Sequence, residues 1–257
     1  MIDFTGKIAI VTGAGGGIGQ AVSLGLSKAG AKVVVVDVNR ELGAKTAGMI
    51  KEQGGESLFV AADVSRSDQV MNYVDEAKRA YGRIDVFMNN AAWEGLIKPI
   101  TEYPDDVFDQ VVAVNLRGVF LGLKYVLRVM IDQGSGAVVN TASIGAYIGS
   151  RNMAPYIASK HGVMGLTKTA ALEVARKGIR VNAVCPGPVD KPMIRAIEEG
   201  QAPGKAQQLR QQRASVIPDG RYALPEEVAN LMLYLASDLA SHITGQGIQI
   251  NGGILSP

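Results

Sequence analysis

The sequence predicts an α/β fold: a single-domain, doubly wound parallel sheet of about seven strands, with helices on both faces. Three observations lead there. Apolar runs of strand length alternate with amphipathic runs of helix length along the chain. The strand runs are nearly continuous in Val, Ile and Ala, as in strands covered on both faces. No stretch between residues 1 and 257 reads as a linker or a second core. Strands joined by helical crossovers then wind both ways from the middle of one sheet.

The elements follow in order. Residues 7–12 form a buried strand, 18–29 a helix stopped at Gly30, and 32–37 a Val-rich second strand. Residues 40–53 are helical up to Gly54-Gly55, and 57–61 is a third strand. Residues 67–81 form a helix with Ser67 as its N-cap, a residue type whose hydroxyl accepts from first-turn amides. A fourth strand covers 84–88, a long helix lies within 104–131, and a fifth strand covers 137–141. Pro155 opens a helix over 155–176, because the amide it lacks is one the first turn leaves unpaired. Strand 179–184, helix 225–236 and strand 246–250 complete the Rossmann-like pattern. The stretch 186–224 carries only scattered helical pattern; it reads as a lid or substrate-binding region, or as a surface excursion that only packs.

Composition excludes several function classes. With 257 residues, 47% of them hydrophobic, the chain can bury a large core. A formal charge of +2 and the lack of a basic run give no nucleic-acid surface. Uninterrupted apolar stretches such as 8–11 and 33–36 are far too short to span a bilayer, and residues 1–6 show no leader, so no membrane partner is expected. One cysteine, Cys185, allows no intrachain disulfide and suits a reducing, cytoplasmic setting. His161, His242 and Cys185 are too few for an N/S metal cluster, so no metal is expected.

Two motifs carry chemistry. Thr12-Gly13-Ala14-Gly15-Gly16-Gly17-Ile18-Gly19 joins the first strand to the first helix. Glycines let a backbone turn sharply and approach a phosphate, and the helix start beyond supplies free amides and a positive dipole end. A plain tight turn would use the same glycines; the β-α-β setting favours a dinucleotide. Asp37 ends the second strand, where a carboxylate accepts from ribose hydroxyls and repels a 2′-phosphate. No Lys or Arg lies between Gly13 and Gly17. Both features favour NAD over NADP, although Asp37 could equally cap a turn and Arg40 is near.

The second motif is Tyr156 and Lys160, four apart and hence on one helix face, with Ser143 upstream. An ammonium beside a phenol favours the phenolate, which would bring a Tyr with an ordinary pKa of about 10 toward acid/base work near neutrality.

Taken together, these residues resemble the short-chain dehydrogenase/reductase family, and the resemblance runs nearly the whole length. It rests on Thr12–Gly19, Asp63-Val64, Asn89-Asn90-Ala91-Ala92, Asn115, Ser143, Tyr156 with Lys160, Pro186-Gly187, and the late segment from Thr244-Gly245 to Asn251-Gly252-Gly253. It departs at Ala92 for Gly, at Lys191 for a Thr that touches the nicotinamide amide, and at Asn251 for Asp. The resemblance implies hydride transfer between NAD and a secondary alcohol or ketone, cyclic or anionic substrates included. It implies a catalytic set of Asn115, Ser143, Tyr156 and Lys160. Tyr156 would take the alcohol proton, Lys160 would favour the phenolate and hold the nicotinamide ribose, Ser143 would donate to the substrate oxygen, and Asn115 would hold a relay water. The cofactor-binding residues would be Gly13, Gly17, Ile18, Gly19, Asp37, Asp63, Val64, Asn90, Tyr156, Lys160, Pro186, Gly187 and Val189. A homotetramer through helices 104–131 and 155–176 is implied as well.

A largely apolar pocket is expected from Trp93, Ile144, Tyr147, Met153 and Met193. Arg195, among Arg151, Lys191, Lys205, Arg210 and Arg213, is the candidate for an anionic substrate group, although Asp190, Glu198 and Glu199 make a solvated face as good a reading. Two alternatives share the motifs. A 3-oxoacyl-carrier-protein reductase is disfavoured by Asp37, and a non-catalytic NAD-sensing module by the presence of both Tyr156 and Lys160.

Overall fold

Strands of Val and Ile with no polar alternation need cover on both sides, and the fold supplies it. The computed structural model describes residues 2–255. Seven strands form one sheet: β1 (Ile8–Thr12), β2 (Lys32–Asp37), β3 (Ser57–Ala61), β4 (Val86–Asn89), β5 (Gly136–Thr141), β6 (Ile179–Pro186) and β7 (Gly247–Ile250). Their order is β3-β2-β1-β4-β5-β6-β7, with every neighbouring pair parallel. Successive side chains point to opposite faces. Ile10, Val34, Val36 and Phe87 therefore meet one core layer, under α3 (Ser67–Tyr81), α5 (Gly118–Gln133) and α6 (Ala154–Val174). Ala9, Val11, Val33 and Val35 meet the other, under α1 (Gly17–Lys28), α2 (Arg40–Glu52) and α9 (Pro225–Ala236).

The strand order reverses between β1 and β4. At such a switch point the connections leave to opposite sides and a crevice opens beyond the carboxyl ends of the strands. Buried amides and hydroxyls brace that edge. Thr12 Oγ1 accepts from the Asn90 and Ala91 amides at 2.9 and 3.1 Å. Asn90 Nδ2 donates to Thr12 O at 3.0 Å, and Thr141 Oγ1 donates to Asn90 Oδ1 at 3.1 Å. Three strand ends are thereby tied together, which fixes the floor of the crevice.

Several expectations are corrected. Ser67 is not the N-cap of α3: Arg66 takes that position without a side-chain cap bond, and the Ser67 hydroxyl pairs with the Tyr125 hydroxyl at 2.7 Å. The long helix runs continuously from Asp105 to Gln133 as α4 (Asp105–Val112), a π turn (Ala113–Arg117) and α5. At 29 residues and a mean hydropathy of 1.3 over its most apolar window, it is long and apolar enough to cross a membrane, which uninterrupted apolar runs did not reveal; half of that window is buried inside the protein. The stretch 186–224 holds two helices, α7 (Pro192–Gln201) and α8 (Ala206–Val216).

Candidate active site

The crevice is a cleft of about 810 Å³ running from Asp37 to Tyr156 and on to Met193 and Arg213. At one end lies the turn between β1 and α1. An ideal β-carbon on Gly19 would sit 2.0 Å from the Gly13 carbonyl oxygen, so only glycine lets α1 pack this close to the turn. Gly19 does not itself line the cleft, whereas Gly13, Gly17 and Ile18 do. Asp37 accepts from the Gly15 amide at 2.7 Å and from the Asn39 amide at 2.8 Å. The carboxylate thus does what the turn reading asked of it and still faces the cleft. Asp63, Val64 and Asn90 line the middle, with Pro186, Gly187 and Val189 along the β6 exit. An elongated groove ending in a carboxylate, with a glycine turn at a helix start beside it, fits a dinucleotide without a 2′-phosphate.

At the other end, Tyr156 and Lys160 project from the first turns of α6, and the Lys160 ammonium stands 5.5 Å from the centre of the Tyr156 ring. Lys160 is 1% exposed and donates to the Thr141 carbonyl at 2.8 Å. Burial pushes its pKa down to about 7, and the Lys191 ammonium adds to that. The Tyr156 hydroxyl lies above its ordinary range: burial is the main cause, a hydrogen bond with Ser143 opposes it, and the Glu94 carboxylate reinforces it. The lowering expected from Lys160 is not found: desolvation of the phenol outweighs the hydrogen bond that opposes it. Ser143 also caps the short turn that follows, accepting from the Gly145 amide at 3.1 Å.

Asn115 is fully buried in the π turn. Its Oδ1 accepts from the Trp93 amide at 2.8 Å, and its Nδ2 donates to the Trp93 carbonyl at 2.8 Å and to Ser159 Oγ at 3.3 Å. The side chain is committed to the Trp93 backbone and to Ser159.

Trp93, Ile144, Met153 and Met193 line the catalytic end of the cleft. Tyr147 does not: its hydroxyl donates to the Gly247 carbonyl at 3.2 Å and lies 3.9 Å from Cys185 Sγ, on the side of β7. Arg195 does not either. Its side chain is 68% exposed and pairs with Asp190 at 3.3 Å; Arg210 pairs with the same carboxylate at 2.7 Å. Of the basic residues counted at the entrance, Lys191 and Arg213 reach the cleft wall. Sequence reasoning missed the Lys160–Thr141 bond, because a carbonyl acceptor belongs to the backbone and carries no residue signature.

A family model described as enoyl-(acyl carrier protein) reductase matches residues 13–255. Levodione reductase of Leifsonia aquatica is 42% identical over 97% of this chain and 94% of its own length. A solved levodione reductase structure superposes with a TM-score of 0.95 at 41% identity, covering 97% of this chain and 98% of that one. Cyclohexanol dehydrogenase of Acinetobacter sp. strain SE19 is 38% identical over 98% of this chain and 96% of its own length. NAD+-bound xylitol dehydrogenase superposes with a TM-score of 0.93 at 36% identity, covering 97% of this chain and 99% of that one. On sequence, motif order and fold alike, the chain belongs to the short-chain dehydrogenase/reductase family.

Proposed function

We propose that the protein is an NAD-dependent oxidoreductase that interconverts a secondary alcohol and a ketone, with a ring or alkyl body seated in the apolar end of the cleft. The observation that carries this reading is the convergence of Ser143, Tyr156 and Lys160 on one end of a cleft whose other end is Asp37. Relatives named for levodione, cyclohexanol and xylitol support a hydroxyl or carbonyl on a small molecule.

The dinucleotide, when bound, supplies hydride acceptance and donation; the side chains do the rest. Asp37 takes the ribose hydroxyls at the adenosine end, with Asp63 and Val64 beside the base and Gly13, Gly17 and Ile18 along the phosphates. Asn90, Pro186, Gly187 and Val189 shape the bed further along. Ser143 donates to the substrate oxygen and holds it against Tyr156. Tyr156 removes the hydroxyl proton in oxidation and returns it in reduction. Lys160 favours the phenolate by its charge when protonated and holds the nicotinamide ribose. Asn115 keeps the chain at Trp93 in place, so that Trp93, Ile144, Met153 and Met193 present a fixed wall to the substrate.

The chain acts as a single domain, with α7 and α8 as a lid over the cleft. A homotetramer is supported by apolar side chains left facing outward on α4–α6: Phe108 at 43%, Phe120 at 47% and Leu172 at 84% exposure. A cytoplasmic setting rests on the single, buried thiol of Cys185. The acyl-carrier-protein reductase alternative is opposed by Asp37, and a non-catalytic sensor by the intact Tyr156–Lys160 pair.

The test is NADH formation by purified protein on a panel of cyclic, linear and anionic secondary alcohols, with Tyr156→Phe alongside. Turnover with NAD, lost by about a thousandfold or more in the variant, is the expected result. Turnover that survives Tyr156→Phe, or that needs NADP, would overturn it.

A further inference from the structure

Lys191 stands where the family commonly has Thr, and the structure places its side chain across the glycine turn. An ideal β-carbon on Gly17 would lie 3.2 Å from Lys191 Cδ and 3.5 Å from Lys191 Cβ. Gly17 has a φ of +52°, in the left-handed region, and its bare α-carbon gives the lysine stem a seat. The ammonium beyond that stem therefore hangs over the start of α1.

Three cationic side chains line the cleft: Lys160, Lys191 and Arg213. Lys160 is bonded to the Thr141 carbonyl and Arg213 to Gln201. Among the described residues, Lys191 alone of the three has no hydrogen-bond or ion-pair partner, and its nitrogen is not a buried orphan, so it opens to the cleft. Its surroundings are positive. The N-cap of α1 is Gly16, with no side-chain cap bond and no acidic residue in the first turn. Lys191 is itself the N-cap of α7, which also has no side-chain cap bond and no acidic residue in its first turn. Two positive dipole ends and a free ammonium thus face one volume, with the Lys160 charge nearby. Burial holds the Lys191 pKa below its ordinary range, and the Glu94 carboxylate pulls it back up.

We infer that the Lys191 ammonium binds a diphosphate oxygen of the dinucleotide, and that this contact draws the start of α7 onto the bound cofactor. The assignment rests on the dinucleotide reading of the cleft. It gives the position a different task from that of the Thr it replaces: Thr meets the nicotinamide amide, whereas Lys191 meets the phosphates. Because the lysine also begins the lid, cofactor affinity and lid position are tied through one side chain.

The test uses Lys191→Gln, which keeps the stem on Gly17 and removes the charge. Dissociation constants are measured by NADH fluorescence and by competition with ADP-ribose and with adenosine, at low and high salt. The expected result is roughly tenfold weaker binding of both NADH and ADP-ribose, unchanged adenosine binding, and a gap that narrows as salt rises. Unchanged adenosine binding also shows that the variant keeps its folded site. Loss of NADH affinity with ADP-ribose unaffected would put Lys191 at the nicotinamide and overturn the assignment, as would equal affinities in the two proteins. Failure of the natural protein to bind NADH at all would overturn the dinucleotide reading together with it. Hydrogen exchange supplies a second readout: NADH should protect the amides of 193–201 in the natural protein and not in Lys191→Gln, and equal protection in both would sink the tie to the lid.

Discussion

Asn115 holds both backbone polar groups of Trp93, accepting from its amide and donating to its carbonyl, each at 2.8 Å. The pairing imitates a strand ladder beyond the point where β4 ends at Asn89. It stitches the π turn to the loop that carries the cleft wall. Substituting Asn115→Ala leaves the half-buried Trp93 amide and carbonyl short of a partner, while Ser159 Oγ keeps its bond to the Tyr156 carbonyl. A loss of about 2–4 kcal/mol in unfolding free energy is expected, since each orphaned buried group costs about 1–3 kcal/mol. Urea unfolding reads the loss directly. KM should rise along with it, because Trp93 is no longer held; a stability within 0.5 kcal/mol of the natural protein would contradict this role.

Lys160 gives stability a pH dependence of known sign. Its folded pKa of about 7 lies below the ordinary 10.5. Below about pH 7 the folded and unfolded chains both carry the proton, and the folded state bears the full cost of a buried cation. Between these two values the unfolded chain holds the proton and the folded one does not, so this group's contribution to stability rises with pH, by at most about 1.4 kcal/mol per unit. Lys160→Met removes the slope. Unfolding free energies taken at about pH 6, 8 and 10 should show the variant gaining on the natural protein as pH falls. A difference independent of pH would mean that the lysine is not desolvated.

Activity should follow Tyr156. Its hydroxyl is held above the ordinary value of 10, chiefly by burial, with Ser143 pulling it back. Alcohol oxidation needs the phenolate, so kcat/KM for oxidation should climb with pH through the neutral and alkaline range. Ser143→Ala removes the one hydrogen bond that lowers the group and should move the climb further to the alkaline side. A profile that stays in place after that substitution would separate Ser143 from the proton transfer.

Asp37 does two jobs with one carboxylate, and both can be read. Asp37→Ser removes the repulsion of a 2′-phosphate and weakens the hold on the Gly15 amide. NADH affinity should fall and the NADPH-to-NADH preference should move toward NADPH by about tenfold or more. Steady-state kinetics with both cofactors checks this; an unchanged preference would reduce Asp37 to a turn brace.

Arg195→Ala should change kcat/KM less than about twofold for neutral and anionic substrates alike. Its guanidinium is exposed and shares Asp190 with Arg210, and exposed pairs of this kind contribute about 0–1 kcal/mol. A selective loss on anionic substrates would show that it swings into the cleft.

These cases show what a sequence of this kind reveals. The Val and Ile runs of β1 and β2 and the spacing of Tyr156 and Lys160 are properties of the chain alone, and the sheet and the face shared by those two residues were readable from them. The helices within 186–224 were not. α8 buries no residue and has no apolar stripe, while α7 is only ten residues long and spends its short stripe of Met193, Ile194 and Ile197 on the cleft wall, so neither stands out as a core-packing helix. Of the two readings of the entrance charge, Arg195 follows the solvated face; composition counts arginines but does not say which carboxylate each one meets. Tyr147 follows Ser143 closely in sequence, yet the turn at Ile144–Ala146 swings it to the far side, toward β7. The direction of the Tyr156 shift depended on how dry the pocket is, which only packing decides.

The order of the strands has a consequence for synthesis. The glycine turn is made within the first twenty residues or so, but β1 cannot gain its second neighbour until β4 emerges, and Leu233 of α9 packs against Gly25 of α1 from near the far end of the chain. Lys191, Pro186 and Gly187 also come late. A nascent chain therefore carries the glycine fingerprint before the residues that complete the cleft around it have been added.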